Sequence, residues 1–352
     1  MKKEHILIIR FSALGDVAMA VPVVYSLAMT YPDVRITVLS RNFARTFFED
    51  LAPNVNFMGA DLMGEYHGVG GLNALYRRLT AKNFTAIADF HNVLRSDYLR
   101  LRFNLDRYKV AHIRKDRAGR KRLTATNNKR REQQASPFRK YADVLKSLGY
   151  PVEVSFKSLF PDGGGNLNLL PAIVGPKKSF ETWVGVAPFA AHKGKVYPPR
   201  LMWQVVSGLL QRYGHCRVFL FGRGDEEEKT FDEWCAADSR CVSVGKHLET
   251  MQQELILMSH LDVMVSMDSA NMHLASLVGT KVVSIWGATH PLAGFMGWGQ
   301  TVDDAVQLDL PCRPCSIYGN KPCLRGDYAC LRNIAPEQVL EKIEKVIKTT
   351  LL

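Results

Sequence analysis

The sequence predicts an α/β protein of two doubly wound, parallel-sheet domains facing a central cleft, and three observations lead there. Short apolar runs alternate with helical patterns through the first 150 residues. A turn-rich stretch without periodicity, "FPDGGGNLNLLPAIVGP", interrupts them, after which the alternation restarts and runs to "KVVSIWG". A chain of 352 residues also exceeds what one hydrophobic core normally supports. The expected division is residues 1–165, residues 180–333 and a closing helix over 334–352.

In the first half, "ILIIRF" is a continuous apolar run, as a parallel strand buried on both faces requires. Residues 17–30 follow as a helix, then "VRITVLS" as a strand and "ARTFFEDLA" as a helix. "FTAIADF" is the next strand, "VLRSDYLRLRF" a helix, "YKVAHI" a strand, and "FRKYADVLKSLG" a helix stopped by its glycine. In the second half the strands are "WVGVAP", "CRVFLFG", "CVSVG", "VMVSM" and "KVVSIWG". Between them lie the helices "PRLMWQVVSGLLQRYG", "DEEEKTFDEWCAA", "MQQELILMSHL" and "NMHLASLVG", and the chain closes on the amphipathic "APEQVLEKIEKVIKTTLL". In such sheets ligands sit at the carboxyl ends of the strands, and the motifs below all lie there.

Composition narrows the class. The uncharged stretch between Asp16 and Asp33 is sixteen residues and contains Pro22, too short and too broken to span a bilayer. Glu4 and Arg10 bracket an apolar core of only four residues, so no signal peptide is expected, and the seven cysteines should be reduced in the cytoplasm. The net charge of +12 is concentrated: Arg95 to Lys140 holds sixteen Lys or Arg against four acids, a surplus equal to the whole excess. Its densest part, "RKDRAGRKRLTATNNKRR", reads as a long solvated loop over about 113–137 that favours an anionic partner. Nucleic acid fits it poorly, because residues 113–137 contain no aromatic side chain for base stacking.

Four stretches carry chemistry. In "RFSALGDV" the turn after the first strand offers Gly15 and then Asp16, a carboxylate where a phosphate loop would place glycine; a helix cap and a proton acceptor both fit. "MVSMDSANMHLASLVG" ends a strand and opens a helix at Asp268 and Ser269, either as a cap or as a phosphate cradle, with His273 one turn on. "VAPFAAHKGKVYPPRLMW" brings His192, Lys193 and Lys195 out on a loop, where a lysine is either solvated or neutralises a leaving diphosphate. "FLFGRGDEEE" places Gly222 and Gly224 after a strand, for a tight turn or close backbone approach to a ligand.

Taken in order, "RFSALGDV", the K-x-Y-P at Lys195, "DSANMHLA" and "SIWGATHP" resemble glycosyltransferase family 9, the ADP-heptose:lipopolysaccharide heptosyltransferases. The resemblance spans both halves and reaches the C-terminal cysteine run. It implies a GT-B fold of two Rossmann-like domains, the acceptor mainly on the first and the nucleotide-sugar on the second. It implies Asp16 as catalytic base, Lys195 near the donor phosphates with Tyr197 where the family has tryptophan, and Asp268 at the donor sugar hydroxyls. Ser269 and the helix start would cradle the diphosphate, with His273, Gly222 and Thr289 on the same donor side. "ADFHNVLRS" resembles an acceptor-side segment, which adds Asp89, His91, Arg95 and Ser96 to Ser12 and Gly15. Ala270 and Asn271 stand where the family usually has glycine and proline.

The activity implied is inverting, metal-independent transfer of a heptose or related sugar from an ADP-sugar to the lipopolysaccharide inner core, with no cofactor beyond the donor. The implied partners are the nucleotide-sugar, the anionic core lipid and, for the basic segment, the inner-leaflet surface; the protein would then be cytoplasmic and peripheral on the inner face of the inner membrane. A GT-B transferase or epimerase using another nucleotide-sugar would look alike at this level. Cys312, Cys315, Cys323 and Cys330 fit either a structural zinc knuckle or four reduced thiols, while Cys216, Cys235 and Cys241 read as buried filler.

Overall fold

The computed structural model describes residues 4–350. The chain divides into two units: residues up to Asp116 with Ala135–Lys157, and Arg117–Gln134 with Ser158 onward.

In the first unit the apolar runs become five parallel strands: β1 (His5–Ile9), β2 (Arg35–Ser40), β3 (Val55–Gly59), β4 (Ala86–Asp89) and β5 (Lys109–His112). They lie in the order β3-β2-β1-β4-β5, so the winding reverses between β1 and β4. β1 is buried along its whole length, as its unbroken apolar run predicts. The helix expected over 17–30 is two: α1 (Leu14–Ala18) and α2 (Val21–Thr30), which starts afresh with Pro22 in its first turn. α3 (Arg45–Phe48) is shorter than the apolar pattern suggests. β3 and the following α4 (Gly68–Thr80) were not expected from the sequence, because "GVGG" at the start of α4 masks the periodicity that follows. α4 and α5 (Leu94–Leu105) bury Leu75, Leu79, Leu99 and Phe103 against Leu7, Ile9 and Ile87 of the sheet.

The basic segment departs from expectation. Rather than a loop of the N-terminal half, Arg117–Gln134 groups with the second unit and part of it is α6 (Arg117–Leu123), although most of its residues stay exposed. Its side chains explain this: Arg120 donates to Tyr318 Oη (2.7 Å) with its guanidinium over the Phe295 ring, and Lys129 donates to the Cys312 carbonyl (2.9 Å). Arg131 pairs with Asp309 (2.7 Å). The chain then returns to the first unit as α7 (Pro137–Ser147), whose Tyr141 ring stacks on Phe90 beyond β4 (4.4 Å).

The second unit holds six parallel strands: β6 (Thr182–Ala187), β7 (Cys216–Leu220), β8 (Cys241–Ser243), β9 (Val263–Met267), β10 (Val282–Ile285) and β11 (Ala305–Val306). Their order is β11-β10-β9-β6-β7-β8, with the reversal between β6 and β9. Its helices are α8 (Pro199–Arg212), α9 (Asp225–Ala237), α10 (Val244–His247), α11 (Met251–Met258), α12 (Ala270–Leu277), α13 (Ala329–Arg332) and α14 (Pro336–Thr350). α8 and α14 cover one core, with Met202, Val206, Leu340 and Ile343 buried against Val184, Val265 and Val283. The turn-rich stretch after residue 160 belongs to this unit; Gly165 donates to Ser259 Oγ (2.9 Å), where an added Cβ would come within 2.7 Å of Ile256. Among the described residues no helix is long and apolar enough to cross a membrane.

Candidate functional site

Asp16, Asp89 and His91 in the first unit and Lys195, Asp268 and Ser269 in the second lie at or beyond the carboxyl ends of the two strands where the winding reverses, the position where open α/β sheets bind ligands, whereas Gly222 follows β7 and Thr289 follows β10.

In the first unit the chain leaves β1 through Arg10, Phe11, Ser12 and Ala13 and turns into α1. Asp16 is the third residue of that helix and reaches back to the Ala13 amide. It pairs with Arg10 (2.6 Å), whose guanidinium is buried and also donates to the Phe90 carbonyl (2.8 Å). Arg10 is thereby anchored on both switch-point strands, and the Asp16 carboxylate keeps one third of its side chain exposed to a ligand. Its backbone carbonyl accepts from Tyr141 Oη (3.2 Å), which ties α1 to α7.

Across from this turn stands the loop after β4. His91 is buried; its Nδ1 lies 3.4 Å from the Phe11 amide and its Nε2 3.4 Å from Ser12 Oγ. An Nδ1 that accepts from an amide leaves the proton on Nε2, which then faces Ser12. Burial first, and the positive charges of Arg10 and Lys115 after it, push the His91 pKa down to about 3, so the imidazole is neutral. Asp89 has no exposure: it accepts from the His91 and Asn92 amides (2.8 and 2.9 Å) and pairs with Arg100 (3.1 Å). It shapes the loop that carries His91, and its oxygens are already taken. Ser96 is similarly occupied, closing the first turn of α5 through the Val93 amide (3.0 Å), whereas Arg95 is exposed.

In the second unit the loop after β6 carries Lys195, whose Nζ lies 3.1 Å from Asp268 Oδ2 at the end of β9. The loop is held close: Gly194 accepts from the Ala288 amide (2.8 Å), and a Cβ there would meet the Gly319 carbonyl at 2.7 Å. Gly319, at φ +75°, also lies against the Lys195 stem, where a Cβ would come within 2.4 Å of it. Ser269 caps α12 by position only; its hydroxyl makes no cap bond and lies 3.2 Å from Ser266 Oγ, which leaves the first amides of the helix without side-chain acceptors. His273 is buried one turn on. Thr289, beyond β10, is almost fully buried and its hydroxyl has no hydrogen-bond partner among the described residues. Gly222 serves its own turn, with Glu227 and Phe231 filling the space a side chain would need. Tyr197 is a core residue, its hydroxyl donating to the Ile334 carbonyl (2.9 Å).

The sequence model of glycosyltransferase family 9 (heptosyltransferase) matches residues 72–322, well over half of the sequence. The chain belongs to glycosyltransferase family 9. A lipooligosaccharide heptosyltransferase 2 of Campylobacter jejuni is 32% identical to this family-9 chain over 135 residues, 37% of this chain. The alignment spans about two fifths of each curated relative matched. Among solved structures, Escherichia coli ADP-heptose LPS heptosyltransferase II is similar with a TM-score of 0.73 at 17% identity, over 99% of this chain and 100% of that one. The E. coli heptosyltransferase WaaC, solved with ADP, gives 0.66 at 16% identity over 97% and 99%. At such identities the likeness speaks to the fold, which is GT-B. The family match includes Lys195 and Asp268 and begins after Asp16.

Three residues of this family-9 chain that sequence reasoning missed organise the sites. Arg10 and Arg100 each bind a carboxylate expected to meet ligand. Arg313, buried in the cysteine run, donates to the carbonyls of Trp286 (3.1 Å), Gly287 (2.5 Å) and Thr289 (2.9 Å), and so fixes the loop that carries Thr289. An arginine as the first residue past a buried strand was the one available signal for Arg10. The four clustered cysteines are free thiols, and among the described residues no group of three or more His, Cys, Asp or Glu is placed to hold a metal. Cys216 and Cys241 are buried core residues, their thiols pushed up to about 12 by burial.

Proposed function

We propose that this chain is an inverting glycosyltransferase that moves a heptose, or a closely related sugar, from an ADP-sugar to the lipopolysaccharide inner core. The observation that carries this reading is the matched pair of cation-held carboxylates, Arg10–Asp16 and Lys195–Asp268, each at its unit's switch point. Family membership supplies the reaction class, and the ADP bound by the similar E. coli heptosyltransferase WaaC supports the nucleotide.

In this reading the second unit holds the donor. Lys195 and the first amides of α12 take the diphosphate, Ser269 and Thr289 donate hydroxyl hydrogen bonds, and Asp268 orients the sugar hydroxyls. The first unit holds the acceptor hydroxyl between Ser12, Gly15 and Asp16, with Arg95 exposed for an acidic group of the acceptor. The acceptor oxygen attacks the anomeric carbon from the face opposite the diphosphate. The new C–O bond forms as the bond to phosphate breaks, ADP leaves with the electron pair, and the acceptor proton passes to Asp16. His91, being neutral, adds no charge beside that proton transfer; it steadies Ser12, and Asp89 steadies His91. Lys195 and the α12 amides carry the positive charge that the leaving diphosphate needs, so the transfer proceeds without a divalent ion.

The same reading puts the protein in the cytoplasm on the inner face of the inner membrane, where the exposed Arg117, Lys121, Arg122 and Arg130 would meet anionic headgroups. The test is product analysis with a heptose-bearing core acceptor and ADP-heptose, set against UDP- and GDP-sugars, with and without a chelator. Transfer from ADP-heptose alone, with inverted anomeric configuration and no chelator sensitivity, is expected. Preference for another nucleotide would replace the donor and leave the fold and family unchanged.

A further inference from the structure

We propose that the first unit carries a second ligand site, specific for a phosphate monoester, in a groove beside edge strand β3. The groove has a volume of about 600 Å³. Four cationic side chains from different elements line it: Arg35 at the start of β2, Arg45 on α3, Arg78 near the end of α4, and Lys82 just beyond it. No aspartate or glutamate is part of the lining. Arg35 and Lys82 make no side-chain hydrogen bond or ion pair among the described residues. Arg45 pairs with Glu49 (2.5 Å), and Arg78 donates to Tyr66 Oη (2.5 Å) and pairs with Glu65 (3.8 Å).

The floor is rigid and polar. His5 and Thr37 are both buried and bonded to each other (His5 Nε2 to Thr37 Oγ1, 2.8 Å), and His5 Nδ1 is 3.1 Å from the Lys82 carbonyl. Three amide side chains, Asn42, Asn56 and Asn83, also line the groove and offer donors and acceptors to hydroxyl groups. Phe57, with the Arg45 guanidinium 5.2 Å from its ring centre, gives a flat apolar wall for a sugar or acyl face. Arg35 and Lys82, with no carboxylate partner among the described residues, leave the groove a surplus of positive charge that concentrates counter-anions, and guanidinium forks match phosphate oxygens. The lining includes no residue that follows the carboxyl end of β1 or β4, where Asp16 and His91 stand, so this site is separate from the proposed transfer site and does not depend on that reading.

The phosphate monoester has two sources, a soluble sugar phosphate and a lipid headgroup, and the experiment has an arm for each. The full chain is titrated calorimetrically with glucose 6-phosphate, with glucose as control. In parallel it is sedimented with phosphatidylcholine vesicles containing phosphatidic acid, with phosphatidylcholine alone as control. Each arm is repeated with the double variant Arg35→Gln/Lys82→Gln, both exposed positions, and with Asp16→Asn. Binding in at least one arm is expected, weakened about tenfold or more by the double variant and unchanged by Asp16→Asn. The arm that responds identifies the source. Binding in neither arm, or binding that the double variant leaves intact, overturns the proposal, and circular dichroism of the variant confirms that it is folded.

Discussion

The two switch points use the same device with opposite accessibility. In the first unit the carboxylate of the pair faces out: Asp16 is one third exposed while its partner Arg10 is buried. In the second unit the carboxylate is the buried member, with Asp268 at 7% exposure and Lys195 at 17%. A carboxylate turned outward on a buried cation is placed to receive a proton, whereas a lysine reaching over a buried carboxylate is placed to meet an incoming anion. The helices that follow differ in the same sense. α1 is five residues long and its third residue is the carboxylate itself, which repels phosphate, while α12 has eight residues and opens on Ser269 with its first amides uncapped. The comparison is what the proposed function draws on when it gives proton transfer to the first unit and diphosphate binding to the second.

The largest expected effect comes from removing the proton acceptor. Asp16→Asn retains the shape of the turn and should lower kcat by about 10²–10⁴-fold in a coupled ADP-release assay. Near-normal turnover would erase the distinction between the two units. Next is Lys195→Gln, which should lower kcat by about 10²-fold and also raise the donor KM, because the lost charge acts in both the bound state and the transition state. An effect confined to the acceptor KM would move Lys195 out of the donor site.

A third prediction concerns pH, because each unit keeps a neutral histidine near its site, His91 buried and His290 half-buried. Burial is the main cause in both, holding His91 at about 3 and His290, whose Nδ1 accepts from the Leu292 amide, at about 4. Unfolded, both return to 6.5 and bind protons more readily than in the folded state. Stability is thus fully present above pH 6.5 and declines as pH falls toward 4, by about 2 kcal/mol per histidine at pH 5. Urea midpoints at pH 7 and pH 5 measure it, and equal midpoints would mean that neither ring is as dry as its packing suggests. The smallest effect is that of Thr289→Val. Removing a buried hydroxyl without a partner should raise the unfolding free energy by about 1 kcal/mol and weaken ADP binding a few-fold. A more stable protein with unchanged ADP affinity would take Thr289 out of the donor site.

Much of this arrangement was legible from residue order. The alternation of apolar runs set out both sheets except for edge strands β3 and β11, and the position of Asp16, Lys195 and Asp268 beyond strands follows from where those runs end. What was not legible depends on side-chain direction and on partners far along the chain. Asp89 looked like its neighbours in sequence, but its carboxylate turns inward to two amides and Arg100. The basic segment read as solvated because it has little apolar content. Its partners Asp309 and Tyr318 lie 178 and 198 residues away, beyond the reach of any local pattern. Arg10 was hidden for a similar reason, since its two acceptors come from opposite sides of the β1–β4 reversal.

The division of labour between the units is tested most directly by ADP affinity, measured calorimetrically for the wild-type chain, Asp16→Asn and Lys195→Gln. The account predicts wild-type affinity in Asp16→Asn and about tenfold or greater weakening in Lys195→Gln. Weakened ADP binding in Asp16→Asn with normal binding in Lys195→Gln would contradict it.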